Sequence, residues 1–168
     1  AGFWKVFTFR FLHGKPFTQA DIDAKRREVV LPVSVARKLF ATDDVVGRRF
    51  NMDAQEYRVC GVVEDVSAAT PSSVGDMWLP ITLNSWVTSD ATGKLVGSVG
   101  IYMTAPDAED KEALKEEVRE VFRKLNLASD KYMNDLMGQP DDYWASTFRF
   151  DSCSAPDLAS ELRMYLYM

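Results

Sequence analysis

The sequence holds one histidine, His13, placed just before Gly14 at the end of a run of alternating apolar residues. An imidazole that works as a base or a metal ligand needs a nucleophile, a carboxylate pair or further ligands close by. The neighbouring sequence supplies none, so His13 is read as a surface histidine at a turn. Two adjacent acidic pairs, Asp43-Asp44 and Asp141-Asp142, have the residue type for acid–base or metal work. Neither has calcium-loop spacing, and adjacent carboxylates of this kind are ordinary turn formers. Gly93-Lys94 echoes the end of a phosphate loop, but the earlier glycine is missing and Leu95 stands where a magnesium-binding hydroxyl is required. Two cysteines, Cys60 and Cys153, cannot complete a zinc site with a single histidine. Cys60 lies in the apolar run Arg58-Val59-Cys60-Gly61-Val62-Val63, where a thiol behaves as a small hydrophobe. A Cys60–Cys153 disulfide would suit an oxidising compartment, but the sequence does not place the two within bridging distance. The motifs G-x-S-x-G, H-E-x-x-H and C-x-x-C are absent. No catalytic, cofactor-binding or metal-binding residue is assigned, and the chain is expected not to be an enzyme.

Aromatic residues are the remaining candidates. Phe3, Trp4, Phe7, Phe9, Phe11 and Phe17 crowd the N-terminus, and Trp78 lies in an expected strand; core packing accounts for these. Trp86 differs, because its neighbours Asn84, Ser85, Thr88 and Ser89 are polar and the segment has no period. It is either a lid on the core or part of a contact surface, and it is the one candidate partner-binding residue.

These residues must be positioned by a chain of 168 residues, long enough for one core or two small lobes. A net charge of −5 argues against a nucleic-acid partner. The local basic runs Lys25-Arg26-Arg27 and Arg48-Arg49 are interrupted by acidic neighbours and read as solvated faces. Within residues 1–168 no stretch approaches the roughly 20 apolar residues of a membrane span, and no signal-peptide pattern is expected there. The opening Ala-Gly-Phe-Trp suggests a segment of a longer protein.

Phe7, Phe9 and Phe11 alternate with Thr8, Arg10 and Leu12 at the period of a strand with one buried face, stopped by Gly14 to Pro16. Thr18 with Asp21 predicts a short helix. Glu28 to Val33 predicts a central strand closed by Pro32, and Ser34 is the expected cap of a helix with Val35, Ala36, Leu39 and Phe40 on one side. Arg48 to Met52 and Tyr57 to Val66 predict a hairpin, its second strand apolar on both faces at the centre and so covered on both. Met77 to Ile81 and Leu95 to Thr104 are further expected strands. Pro106 to Leu127 is the clearest helix: acidic residues open it, and Leu114, Val118, Val121, Phe122 and Leu125 form a stripe that a sheet should receive. Asp130 to Met137 and Ala155 to Met168 suggest helices, and Trp144 to Phe150 a strand. The pattern predicts an α+β domain with a mixed sheet, hairpins and packed helices, with two small lobes as an option.

Several short stretches occur in a familiar order: Phe3-Trp4-Lys5-Val6-Phe7; Phe11-Leu12-His13-Gly14-Lys15-Pro16-Phe17 with Asp21; Val29-Val30-Leu31; Ala36 to Phe40; Val46-Gly47-Arg48; and Tyr57 to Val63. Over Phe3 to about Val66 the chain resembles the periplasmic core domain of MacB-like and FtsX-like ABC transporter permeases. It departs where the family usually has Arg (Lys15), Pro (Val45) and an aliphatic residue (Cys60). Beyond Val66 only Pro106 to Leu127 is similar to the family's later helix. The likeness starts partway into the family's domain, so residues 1–168 are expected to be one extracytoplasmic domain truncated at its N-terminal side.

The resemblance implies a domain on the periplasmic side of the bacterial inner membrane, anchored by flanking membrane helices. It implies an ABC-type ATPase as a separate domain or subunit reached through the parent's membrane portion, an outer partner in the periplasm or outer membrane, and a homodimer of the parent permease. The domain would relay ATPase-driven change outward. A small-ligand-binding module and an accessory domain of a secreted hydrolase are the rival readings.

Overall fold

A computed structural model of the chain describes residues 2–68, 70, 72–84, 100–128 and 140–142. It divides into two compact units, Ala1–Tyr102 and Met103–Met168. The described elements are α1 (Phe3–Val6), β1 (Phe11–Gly14), α2 (Gln19–Asp23), β2 (Glu28–Pro32), α3 (Val33–Phe40), β3 (Arg49–Met52), β4 (Gln55–Val63), a 3₁₀ turn (Ile81–Leu83) and α4 (Ala108–Ala128). This is an α+β fold with a four-stranded mixed sheet.

β4 is the axis of the first unit. β2 runs parallel along one side, with Glu28 opposite Arg58 and Pro32 opposite Val63. On the other side β3 and β1 lie end to end, both antiparallel: Arg49 faces Arg58, and Phe11 faces Val63. Asp53 and Ala54, at φ 50° and 59°, make the two-residue turn between β3 and β4. Such a turn matches strand twist and needs positive φ at both positions. The second strand therefore starts at Gln55, two residues earlier than the composition of the turn suggests. A bulge interrupts the β2–β4 register, since Val29 faces Val59 but Val30 faces Gly61. Cys60 is the extra residue, and the bulge reverses the alternation of faces beyond it.

The expected cover on both faces of β4 is present. Val29, Leu31, Val59 and Val62 point to one face with Ala36 and Val45, under α3. Val30 and Val63 point to the other, packed with Phe17 and partly buried Trp4, Phe9, Phe11 and Trp78. All six strand residues here are fully buried, and each such side chain contributes about 1.5–3 kcal/mol.

Several local expectations are corrected. Phe7 to Arg10 carries no ladder, and Phe3 to Val6 is helical, so the expected first strand is reduced to Phe11–Gly14. Ser34 does not cap α3: Pro32 is the N-cap residue and offers no side-chain bond. Instead the Ser34 N–H donates to Asp65 Oδ1 at 3.0 Å, a cap from beyond β4. Leu39 is half exposed rather than turned to the core. Met77 to Ile81 forms no full strand; Trp78 alone bridges Val30 through two backbone hydrogen bonds of 3.0 and 3.1 Å. Gly100 to Thr104 carries no ladder.

In the second unit, α4 begins where the Asp107 carboxylate accepts the Asp110 N–H at 2.8 Å. Along it Glu112–Lys115, Glu116–Arg119 and Glu120–Arg123 pair at i, i+3. Leu114, Val118, Phe122 and Leu125 are half-buried, as the stripe requires, but Val121 is 53% exposed. Half-buried Lys111 and Lys115 move the shielded arc round the helix, leaving Val121 at its margin. Among the described residues no helix is long and apolar enough to cross a membrane. The segments expected over 130–137, 144–150 and 155–168 lie outside the described residues.

Candidate interaction surface

His13, at the end of β1, is brought to one of the acidic residues singled out above. Its Nε2 lies 3.6 Å from Asp43 Oδ1, beyond hydrogen-bond distance. Arg37, on the last turn of α3, grips the same carboxylate through Nε at 3.1 Å and through Nη2. Ala41 makes this possible by taking the left-handed conformation, φ 59°, that ends the helix and turns the chain back. Hydrogen bonding from Arg37 holds the Asp43 carboxyl below the ordinary carboxylate range. Asp43 is thus engaged in an ion pair, beyond forming a turn. The cluster has no nucleophile, and its chemistry is a polar tie between β1, α3 and the following loop. In the second unit Asp142 lies 3.9 Å from Lys111 Nζ.

Cys60 holds its thiol inside the bulge, where Sγ donates to the Val29 carbonyl at 3.3 Å. Burial, with the nearby Glu28 charge adding to it, pushes the thiol pKa up to about 12. A thiol so placed is a poor nucleophile and a poor metal ligand at neutral pH. It is a free cysteine, and Cys153 lies outside the described residues. Among the described residues no three His, Cys, Asp or Glu side chains are placed to hold a metal. The basic runs are largely engaged: Arg26 with Asp21, Arg49 with Glu56, and Arg48 over the Phe40 ring at 5.8 Å.

The most developed feature is an aromatic nest. Trp4 meets Phe3, Phe9, Phe11, Phe17 and Trp78 at centroid separations of 5.1 to 6.1 Å, mostly edge to face. Phe9 also meets Trp78 at 5.0 Å, and Phe7 meets Tyr102 at 5.0 Å. Spacing brings the N-terminal aromatics together in sequence; their meeting with Trp78 rests on the Trp78–Val30 bridge, a long-range pairing with no sequence signature. Where the β1–β4 ladder ends, the chain opens a cleft of about 310 Å³ beside the nest, lined by Phe7, Phe9, Arg10, Glu64 and Val66. An ion pair of 2.8 Å between Arg10 and Glu64 joins its walls. Trp86, the expected contact residue, lies outside the described residues.

Similarity to known proteins agrees with this architecture. A structure of the extracellular domain of the noncanonic ABC-type transporter YknZ from Gram-positive bacteria matches with a TM-score of 0.52 at 19% identity, over 80% of this chain and 66% of that one. The periplasmic region of MacB from Actinobacillus actinomycetemcomitans matches with a TM-score of 0.47 at 21% identity, over 71% of this chain and 52% of that one. The chain thus spans between half and two thirds of the length of these solved domains. A comparison with curated protein sequences returned no match. The family model for the MacB-like periplasmic core domain matches residues 1–121, and the chain belongs to that family.

Proposed function

We propose that this chain is the extracytoplasmic domain of an ABC transporter permease and that it works by contact and movement, relaying ATPase-driven change to a substrate or partner outside the membrane. The family match over residues 1–121 carries the reading. ATP hydrolysis then belongs to an ABC-type ATPase on a separate domain or subunit, coupled through the parent's membrane portion. A partner in the periplasm or outer membrane and a homodimer of the parent complete the assembly. Membrane helices on either side hold the domain against the outer face of the inner membrane.

The described groups suit such a role. Ionisable side chains at the sheet margins are tied across elements, as in Arg58–Glu28, Arg37–Asp43 and Arg10–Glu64, and the one described thiol is half-buried with its pKa raised. Trp86 is the proposed contact anchor, since interface energy concentrates in a few aromatic residues. Trp86→Ala is expected to leave stability within about 0.5 kcal/mol, as at an ordinary surface site, while impairing export by the intact transporter. Destabilisation by several kcal/mol would make it a lid instead.

The topology is tested in the parent protein. It must carry an apolar span of about 20 residues on each side of this domain. A membrane-impermeant thiol reagent must also label Lys38→Cys in intact cells. Labelling that appears only after lysis, or a parent without spans, contradicts the reading.

A further inference from the structure

Residues 2–9 make no backbone hydrogen bond to the sheet among the described residues. Their backbone hydrogen bonds are all local: Lys5 and Val6 donate to Gly2, Phe7 to Phe3, and Phe9 to Phe7. The first backbone bond to the sheet is at Arg10, whose carbonyl accepts from Glu64. No side-chain hydrogen bond or ion pair ties residues 2–9 to other described residues. What remains is ring contact, and most of it belongs to Trp4, which α1 presents to Phe11 of β1, Phe17 before α2 and Trp78 beside β2. The Trp4 Nε1 is buried and has no hydrogen-bond partner among the described residues. Among the described residues the contacts that seat Trp4 are ring contacts, and withdrawal would bring the indole N–H into water.

We propose that residues 3–9 form a detachable strap across this face of the sheet, with the Trp4 indole as the plug that seats it. The energetics separate the strap from the core beneath. β2 and β4 hold one another by a five-residue parallel ladder, bulged at Cys60, and by the opposite face of the sheet, neither of which involves Trp4. Withdrawal of the indole gives up edge-to-face contacts but hydrates the stranded N–H, so the seated and released states lie closer together than they would for a phenyl plug. Release also opens the apolar floor made by Phe17, Val30 and Val63. On the transporter reading, which this inference assumes only for its biological use, such a strap is an element through which displacement upstream of β1 either reaches the sheet or is decoupled from it.

Hydrogen exchange on the whole chain, resolved by segment, tests the strap without any transport assay, so its failure leaves the transporter reading untouched. In Trp4→Ala, amides of residues 5–9 are expected to exchange at least about tenfold faster while those of β2 and β4 change by less than about twofold. In Trp4→Phe, which keeps a ring and removes the buried N–H, residues 5–9 are expected to stay as protected as in the parent chain or to become more so. Parallel acceleration of β2 and β4 in Trp4→Ala would show that Trp4 is ordinary core and overturn the proposal. So would unchanged exchange of residues 5–9 in that variant, or a Trp4→Phe chain that exchanges there as fast as Trp4→Ala.

Discussion

Gly14 and Gly61 face each other across β1 and β4, and their need for a bare backbone is a matter of distance. A Cβ on Gly14 would stand 2.2 Å from the Cys60 carbonyl oxygen, at φ +67°, and one on Gly61 would stand 2.8 Å from both the Lys15 carbonyl and the Phe11 ring. Gly47 also has positive φ, +86°, but open space around it. Gly14→Ala is therefore expected to lower unfolding free energy in urea by about 3 kcal/mol or more, and Gly47→Ala by only about 1 kcal/mol. Equal losses would mean that φ alone, and not the approach of β4, makes Gly14 necessary. Cys60 offers a second test at this scale. With its thiol pKa raised to about 12, Cys60 should be alkylated at pH 8 about a thousandfold more slowly in the folded chain than in urea. The raised pKa also has a sign for stability. The folded chain keeps a proton that the unfolded chain loses, so stability falls as pH rises from about 9 towards 12. Labelling at equal rates would place the thiol outside the bulge.

At the scale of elements, α2 shows how a short helix is specified. Thr18 Oγ1 donates to Asp21 Oδ2 at 2.6 Å, the Thr18 N–H donates to the same oxygen at 2.8 Å, and the Asp21 N–H donates back to Thr18 Oγ1 at 3.3 Å. The Thr18 hydroxyl is the first cause of the lowered Asp21 pKa. Stability from this carboxylate is present above its unfolded pKa near 3.8 and is lost as pH falls through the lower folded value. Asp21→Asn should flatten the acid limb of the melting-temperature profile below pH 4, and Thr18→Ala should cost about 1 kcal/mol at neutral pH. An unchanged acid limb would show that the capping box contributes nothing. The Thr18–Asp21 spacing is visible in the sequence because a capping box is local, and the same holds for the double-faced apolar run of β4 and the acidic opening of α4. Other features have causes far apart in the chain. Asp65 caps α3 at Ser34 from 31 residues away, and Trp78 reaches Val30 by a lone bridge. The short α1 hides in a run of alternating aromatics because Trp4 turns inward through helix geometry, where strand alternation points to Phe7, Phe9 and Phe11. The contact candidate Trp86 rests on local signals, polar neighbours and a segment without period, whereas the nest needs rings from four separate segments.

For the molecule as a whole, the structure comprises two compact units. The first unit is a sheet cored on both faces, with a polar tie at His13, Asp43 and Arg37 on one side and an aromatic nest on the other. The second carries a long charged helix with a half-buried stripe of Leu114, Val118 and Phe122. Under the function proposed above, such a module follows or imposes movement on the side of the membrane away from the ATPase. The most direct measurement records ATP hydrolysis and export in parallel for the intact parent transporter in sealed vesicles, with residues 1–168 present or replaced by a flexible linker. The account predicts that the linker form inserts and hydrolyses ATP while export is lost. Export at the parental rate from the linker form would contradict it.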